Sequence, residues 1–303
     1  MTICSKMRVH VFGNLAVSQG GTPVALPASV APVIAYLVIK RARPVPRSEV
    51  AGMIWADRTE GRARRCLSTA LWRLNHDPHT SGMVDTSHHD VLRLNPHAAF
   101  WVDAVAFEYR IETLLAVPAE GLSDQQYRRL VGAVDLYCDD LMQACDYDWA
   151  QIERQRLRHL YLAALFHVTA AADSRGDTSA AIAYGRRLTA LEPLREDAHR
   201  MLMRIYAASG NRGKAIEQYR ICQGELSTEL NVDPTLETQA LYASLIGEGG
   251  EAMVPSAADR RAASLDAISH RVRYARRVLA AADLRLADAL NLVNRASRIN
   301  DHP

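Results

Sequence analysis

The 303-residue sequence predicts a mainly α-helical protein in three parts: an N-terminal domain that combines a small β-sheet with three helices, a stack of paired helices, and a C-terminal helical extension. Three observations predict it. Short alternating apolar segments with turn residues between them bracket three helical segments within residues 1–107. Between residues 125 and 246 the loop signals recur with a spacing of 34 residues. Beyond a Gly- and Pro-containing stretch, apolar residues then recur in steps of three and four as far as Ala296.

The first part, residues 1–107, opens with strand signals. Met7–Val17 alternates around Gly13-Asn14, and Thr22–Leu26 follows Gly20-Gly21. Alternation broken by such turn residues reads as short antiparallel strands. Val30–Ile39 is a compact apolar helix that ends in the basic cluster Lys40, Arg41, Arg43. Pro44 and Pro46 interrupt the chain, and a second helix opens near Ser48 and runs through Trp55. A third helix spans Arg62–Leu74. Ala63, Leu67, Ala70, Leu71 and Leu74 recur on it at helical spacing and predict a core-facing stripe. Arg62, Arg65, Thr69, Trp72 and Arg73 fall on or beside the opposite face. A basic face with short polar groups can enter a DNA major groove, where Arg neutralises phosphates or forks onto guanine. The plainer reading of the same residues is a solvated, arginine-rich surface. Met83–Thr86 and Val91–Leu94, around Ser87-His88-His89-Asp90, read as a closing hairpin. Strands, three helices and a hairpin, in that order, form a winged helix with an N-terminal sheet.

In the second part, residues 108–250, Gly176-Asp177 recurs as Gly210-Asn211 and Ala181-Ile182 as Ala215-Ile216, both at an offset of 34. That is the tetratricopeptide period, in which each helix pair leaves an apolar face for its neighbour to cover. In the third part, residues 251–303, the stripe is Leu265, Ile268, Val272, Ala275, Leu279, Ala282, Leu286, Ala289, Val293 and Ala296, widened by Val278, Leu290 and Leu292. A heptad stripe does not choose its partner. Two readings stand: a dimerising helix, or a helix folded back on the acidic repeat domain and aided by Arg260, Arg261, Arg271, Arg273, Arg276 and Arg277.

Composition narrows the function. The net charge of +2 is unevenly spread: +5 over residues 1–107, −7 over 108–254 and +4 over 255–303. A basic first segment beside an acidic middle predicts different partners for the two. Nothing approaches a membrane-spanning apolar run, and Met1–Lys6 lacks the apolar core of a signal peptide, so no membrane partner and a cytoplasmic location are expected. The five cysteines (Cys4, Cys66, Cys138, Cys145, Cys222) form no CxxC pair, which argues against a disulfide framework and a structural zinc site. His76, His79, His88, His89 and His97 cluster near the hairpin, but no nearby cysteine completes a metal site. No Walker A, GxGxxG or GxSxG pattern is present. No enzyme, cofactor or metal is expected. Trp55, Trp72, Trp101 and Trp149 read as core anchors, except that Trp72 could face outward instead.

Specific segments carry a family resemblance. Val45-Pro46-Arg47-Ser48-Glu49-Val50, Ile54-Trp55, Arg62-Ala63-Arg64, Leu67–Leu74, and the closing Trp101-Val102-Asp103 with Phe107-Glu108 resemble the OmpR-type winged helix of the Streptomyces antibiotic regulatory protein (SARP) family. Tyr147-Asp148-Trp149, Glu153-Arg154, Leu191–His199, Leu202–Gly210, Ala215-Ile216 with Tyr219, and Leu226 through Thr238 resemble the bacterial transcriptional activator domain that follows it in that family. The chain departs from the family at Ala31-Pro32, where polar or basic residues are usual, at the glycine-free tip Ser87–Asp90, and at Asn231, where Gly is usual. It also lacks the ATPase module of larger members.

The resemblance implies a transcription activator that binds direct repeats in double-stranded promoter DNA. It implies a homodimer at least on DNA, with RNA polymerase and its sigma factor as further partners. By the same resemblance Arg65, Ser68, Thr69, Trp72 and Arg73 fall where such helices meet DNA. Arg73 is the first candidate for a base contact, Thr69 offers a methyl group to thymine, and Arg62, Arg64 and Arg65 are cast as phosphate ligands. The alternative is a signal-sensing or scaffold protein whose tetratricopeptide groove binds a peptide or small ligand.

Overall fold

The computed structural model describes residues 7–41, 43–96 and 100–247, and the C-terminal stripe lies outside the described residues. Packing divides the chain into two compact units, Met1–Leu188 and Thr189–Pro303.

The first unit begins with a four-stranded sheet in the order β3-β2-β1-β7, built from β1 (Met7–His10), β2 (Ala16–Gln19), β3 (Thr22–Val24) and β7 (Phe100–Val102). β1 pairs antiparallel with β2, placing Val9 opposite Val17, and parallel with β7, placing Val9 opposite Val102. Val9 and Val17 are buried, as the alternation predicts. Three helices follow: α1 (Ala31–Ile39), α2 (Arg47–Ile54) and α3 (Glu60–His76). A second sheet, ordered β4-β6-β5, combines β4 (Val45–Pro46), β5 (Val84–Asp85) and β6 (Val91–Leu94). It is the expected hairpin, β5 with β6, extended by a two-residue strand that carries no strand signal of its own. Val45 lies opposite Leu92, and both are fully buried.

β7 passes into α4 (Asp103–Leu115) with no residue between them. Asp103, buried at this junction, accepts hydrogen bonds from the backbone N–H groups of Val11 and Phe12, 92 and 91 residues away, and from Ala104. Burial pushes its carboxyl above the usual carboxylate range, although these donors act the other way. The unit continues through a short 3-10 turn (Ala119–Gly121), α5 (Asp124–Val134) and α6 (Asp148–Ser174). Ser123 and Gln126 form a reciprocal capping box at the start of α5.

The segment between α5 and α6 returns to the first sheet. Gly13 N–H donates to Asp140 O, Met142 N–H to Val11 O and Gln143 N–H to Gly13 O, all at 2.8–2.9 Å. Arg154 on α6 donates to the carbonyls of Leu141, Met142 and Cys145 and so holds this segment in place. Met142 there adopts a left-handed conformation (φ 42°). Beneath it Phe12, Phe107, Tyr137 and Tyr161 form one aromatic cluster. Tyr137 stacks on Tyr161 with ring centroids 4.1 Å apart. Packing is therefore continuous across residues 107 and 108, where the change of sequence character falls.

The remaining helices are α7 (Thr178–Leu191), α8 (Glu196–Ala208), α9 (Arg212–Leu230) and α10 (Leu236–Gly247). The 34-residue offset is visible atom by atom. Gly176 and Gly210 both sit in left-handed turns (φ 71° and 77°) that other residues rarely adopt. Asp177 N–H donates to Ala172 O, and Asn211 N–H donates to Tyr206 O in the same way. Ala181 and Ala215 are both fully buried. In the second unit α8 packs on α9, and α10 packs on both. Buried His199 donates from Nε2 to Pro193 O (3.0 Å) and accepts at Nδ1 from Gln218 Nε2 (2.7 Å).

Candidate nucleic-acid interface

The third helix divides as its sequence predicts, and is longer at both ends. Ala63, Leu67, Ala70, Leu71 and Leu74 are buried, and the helix packs on α2. Its last turn is closed by buried Thr80, whose hydroxyl donates to Leu74 O at 2.8 Å. At 100° per residue, Gly61, Arg65, Ser68, Thr69, Trp72 and His76 run along the side opposite the stripe, with Arg62 and Arg73 on one shoulder and Arg64 on the other. All of these residues are exposed.

The arginines differ in what holds them. Arg64 pairs with Glu60 one turn earlier on the same helix. Arg73 donates from Nη1 to Ser29 Oγ at 3.1 Å, in the segment that enters α1. Arg62 and Arg65 have no polar side-chain partner among the described residues. Their guanidinium groups are thus the ones available without breaking an existing bond. Ser68 and Thr69 donate their hydroxyl protons to the carbonyls of Arg64 and Arg65, both at 3.0 Å. Those hydroxyls retain acceptor capacity, and the Thr69 methyl stays on the exposed face.

Trp72 is 60% exposed and does not anchor the core. Its ring stacks on His76 with centroids 4.3 Å apart, and His76 Nδ1–H donates to Trp72 O at 2.9 Å. The structure thus places His76 on the helix face and not with the hairpin histidines. Its position four residues beyond Trp72 is the sequence signal for that placement. Of the other three, Trp55 is half-buried at the end of α2. Trp149 packs edge-on against Tyr36, and Trp101 faces His10.

The wing is tied to α2. Arg47 N–H donates to Asp90 O at 2.9 Å, and its guanidinium donates to His89 O at 3.3 Å. Within the wing Asp85 accepts from the Ser87 hydroxyl and N–H and from Arg93. These donors hold its carboxyl well below the usual carboxylate range. A side-chain-closed turn thus stands in place of a glycine, and it leaves Ser87, His88, His89 and Asp90 exposed at the tip. His76 and His79 have separate polar partners, Trp72 O and Gln19. Among the described residues no group of three His, Cys, Asp or Glu side chains could hold a metal ion; His97 lies outside them.

A winged helix joined directly to a helical domain with a 34-residue repeat is the arrangement the sequence predicts. Comparison with known proteins agrees. Residues 102–246 match the bacterial transcriptional activator domain. The transcriptional regulatory protein MoaR1 of Mycobacterium tuberculosis is 25% identical over 252 residues, covering 81% of each chain, and its counterpart in Mycobacterium bovis matches equally. Among solved structures, Mycobacterium tuberculosis EmbR in complex with a low affinity phosphopeptide shares the fold, with a TM-score of 0.67 at 21% identity, over 89% of this chain and 71% of that one. Residues 102–246 thus carry a bacterial transcriptional activator domain, and the chain as a whole is similar to transcriptional regulatory proteins over four fifths of its length.

Proposed function

We propose that this activator binds double-stranded promoter DNA by inserting α3 into the major groove, with the wing tip at the flanking backbone. The observation that carries this reading is the exposed ridge Arg65, Ser68, Thr69 and Trp72, with Arg62 at its shoulder, on a helix whose opposite side is fully committed to the core. Arg62 and Arg65 serve as phosphate ligands, and Arg64 serves as one when Glu60 releases it. Thr69 presents its methyl group to thymine. Arg73 is assigned to a base edge. Leaving Ser29 gives up one exposed hydrogen bond from a charged donor, and a bidentate guanine contact makes two in its place.

Residues 1–107 carry this function, and residues 108–250 support pairing of two copies on direct repeats and contact RNA polymerase and its sigma factor. Activation then works by recruitment, in the cytoplasm, with no chemistry performed by the chain. Among the described residues no helix is long and apolar enough to cross a membrane. The test is selection of bound duplexes from a random library by the full chain. Recovered sites containing two copies of one motif in the same orientation are expected. Failure to enrich any duplex at low salt overturns the reading.

A further inference from the structure

The second unit carries an apolar patch with an acidic rim. Helix α9 ends at Leu230, and Asn231 takes the left-handed cap conformation (φ 55°, ψ 41°). Val232 N–H then returns to Leu226 O, and α10 begins at Leu236. This tight turn leaves Leu230, Val232 and Leu236 in solvent, and Leu236 is 83% exposed. Each has a carboxylate as its chain neighbour: Glu229, Asp233 and Glu237. Of these Glu237 reaches Arg200 at 3.1 Å. A solenoid built from helix pairs needs a polar-faced cap at its end. Here α10 packs on α8 and α9.

The sequence beyond α10 has the complementary chemistry. Residues 255–303 carry nine arginines against five aspartates and contain no lysine or glutamate. Their apolar residues fall in steps of three and four from Leu265 to Ala296, and Arg271, Arg273, Arg276 and Arg277 bracket the stripe positions Val272 and Ala275. The 18 residues from Gly247 to Leu265 can span up to about 60 Å, so the tether does not restrict docking within this unit.

We propose that the patch at the α9–α10 turn is the docking site for the basic amphipathic segment 265–296 of the same chain, which caps the repeat stack. The apolar stripe covers Leu230, Val232 and Leu236 while the arginines meet Glu229 and Asp233. A DNA-binding role for α3 is not required.

The test is limited trypsin digestion of the full chain, with cleavage at Arg271, Arg273, Arg276 and Arg277 followed by mass spectrometry. Leu230→Ser with Leu236→Ser should speed cleavage at these arginines about ten-fold, because cutting follows the population of the undocked segment. Both substitutions are at exposed positions, and unchanged cleavage rates at arginines within residues 43–247 confirm that the fold is kept. Leu279→Asp with Leu286→Asp should have the same effect, and combining both pairs should add little, since each breaks the same contact. Equal cleavage rates in the unaltered chain and the patch variant overturn the proposal. So does protection that disappears on dilution, which would assign the segment to a second copy of the chain.

Discussion

Arg65→Ala separates a DNA-contacting arginine from a solvated one. In the free protein Arg65 is exposed and has no polar side-chain partner among the described residues, so its loss should change folding stability by no more than about 0.5 kcal/mol. On DNA, each phosphate neutralised contributes about 0.9 to the slope of log K against log salt. If Arg65 meets one phosphate, the variant's slope is shallower by about 0.9. Between 50 and 200 mM salt the unaltered protein then loses about 3.5-fold more affinity than the variant, on the same counterion-release argument. Arg62→Ala should behave alike. Arg64→Ala should move the slope less, because Glu60 already compensates that charge. Fluorescence-anisotropy titrations across a salt series, on a duplex recovered by selection, measure all three. Arg73→Ala in the same assay should lower discrimination against one base substitution by about 1–3 kcal/mol. Unchanged slopes for both Arg62→Ala and Arg65→Ala, or full discrimination retained by Arg73→Ala, would refute the assignment.

Arg154→Met keeps the side chain's bulk but leaves the carbonyls of Leu141, Met142 and Cys145 without their donor; a loss of about 3 kcal/mol in denaturant unfolding is expected, since hydrogen bonds from charged groups are the stronger ones. His199 is buried and neutral, and burial holds it below its ordinary value of 6.5, with His167 shifted the same way. Below about pH 6.5 the unfolded chain therefore takes up protons that the folded chain refuses. Stability should fall as pH drops, by at most about 1.4 kcal/mol per pH unit for each histidine, and level off below the folded values. His199→Gln should make that fall shallower in urea titrations run across the range. Asn231→Gly should leave the melting temperature unchanged or slightly raised, whereas Asn231→Leu should lose about 1–2 kcal/mol, because the position is left-handed.

Legibility in the sequence depends on short-range periodicity. The stripe Ala63–Leu74 repeats every three or four residues, so the two sides of α3 separate without knowledge of any contact. The repeat turns at Gly176 and Gly210 are legible for a similar reason: a left-handed turn needs a particular residue, and here the same residue recurs at a fixed offset. The ordinary-looking pieces are not legible. β4 is two residues long and contains a proline, and β7 pairs with β1 from more than ninety residues away. Neither shows an alternating pattern of its own. Asp103 enters the sequence reading only within the Trp101-Val102-Asp103 segment, and its bonds to Val11 and Phe12 exist only once the chain has folded back. At the interface, the sequence does not decide Trp72, because an aromatic residue suits either environment. His76 reads with its loop neighbours, and nothing in the sequence ties Arg73 to Ser29, 44 residues earlier.

These long-range contacts bear on how a recruiting activator would work. Within the first unit, β7 ends at Val102 and α4 starts at Asp103, so no linker separates the winged helix from the first helix of the activator domain. Asp103 anchors that junction to Val11 and Phe12. The 139–145 segment bonds to the β1–β2 turn through three backbone hydrogen bonds, and the ring cluster of Phe12, Phe107, Tyr137 and Tyr161 fills the space beneath. Turning α4 against the first sheet would break all three sets of contacts at once. Tyr36 of α1 packs against Trp149 of α6 and Arg41 pairs with Glu108 of α4, which ties in the helices through α1, which packs on α2, on which α3 packs. They form one packed core, and packed cores move between discrete arrangements instead of bending continuously. A protein bound through α3 would therefore hold α4, α5 and most of α6 at a fixed angle to the promoter. That is the geometry a polymerase contact needs if it is to depend on the register of the DNA site.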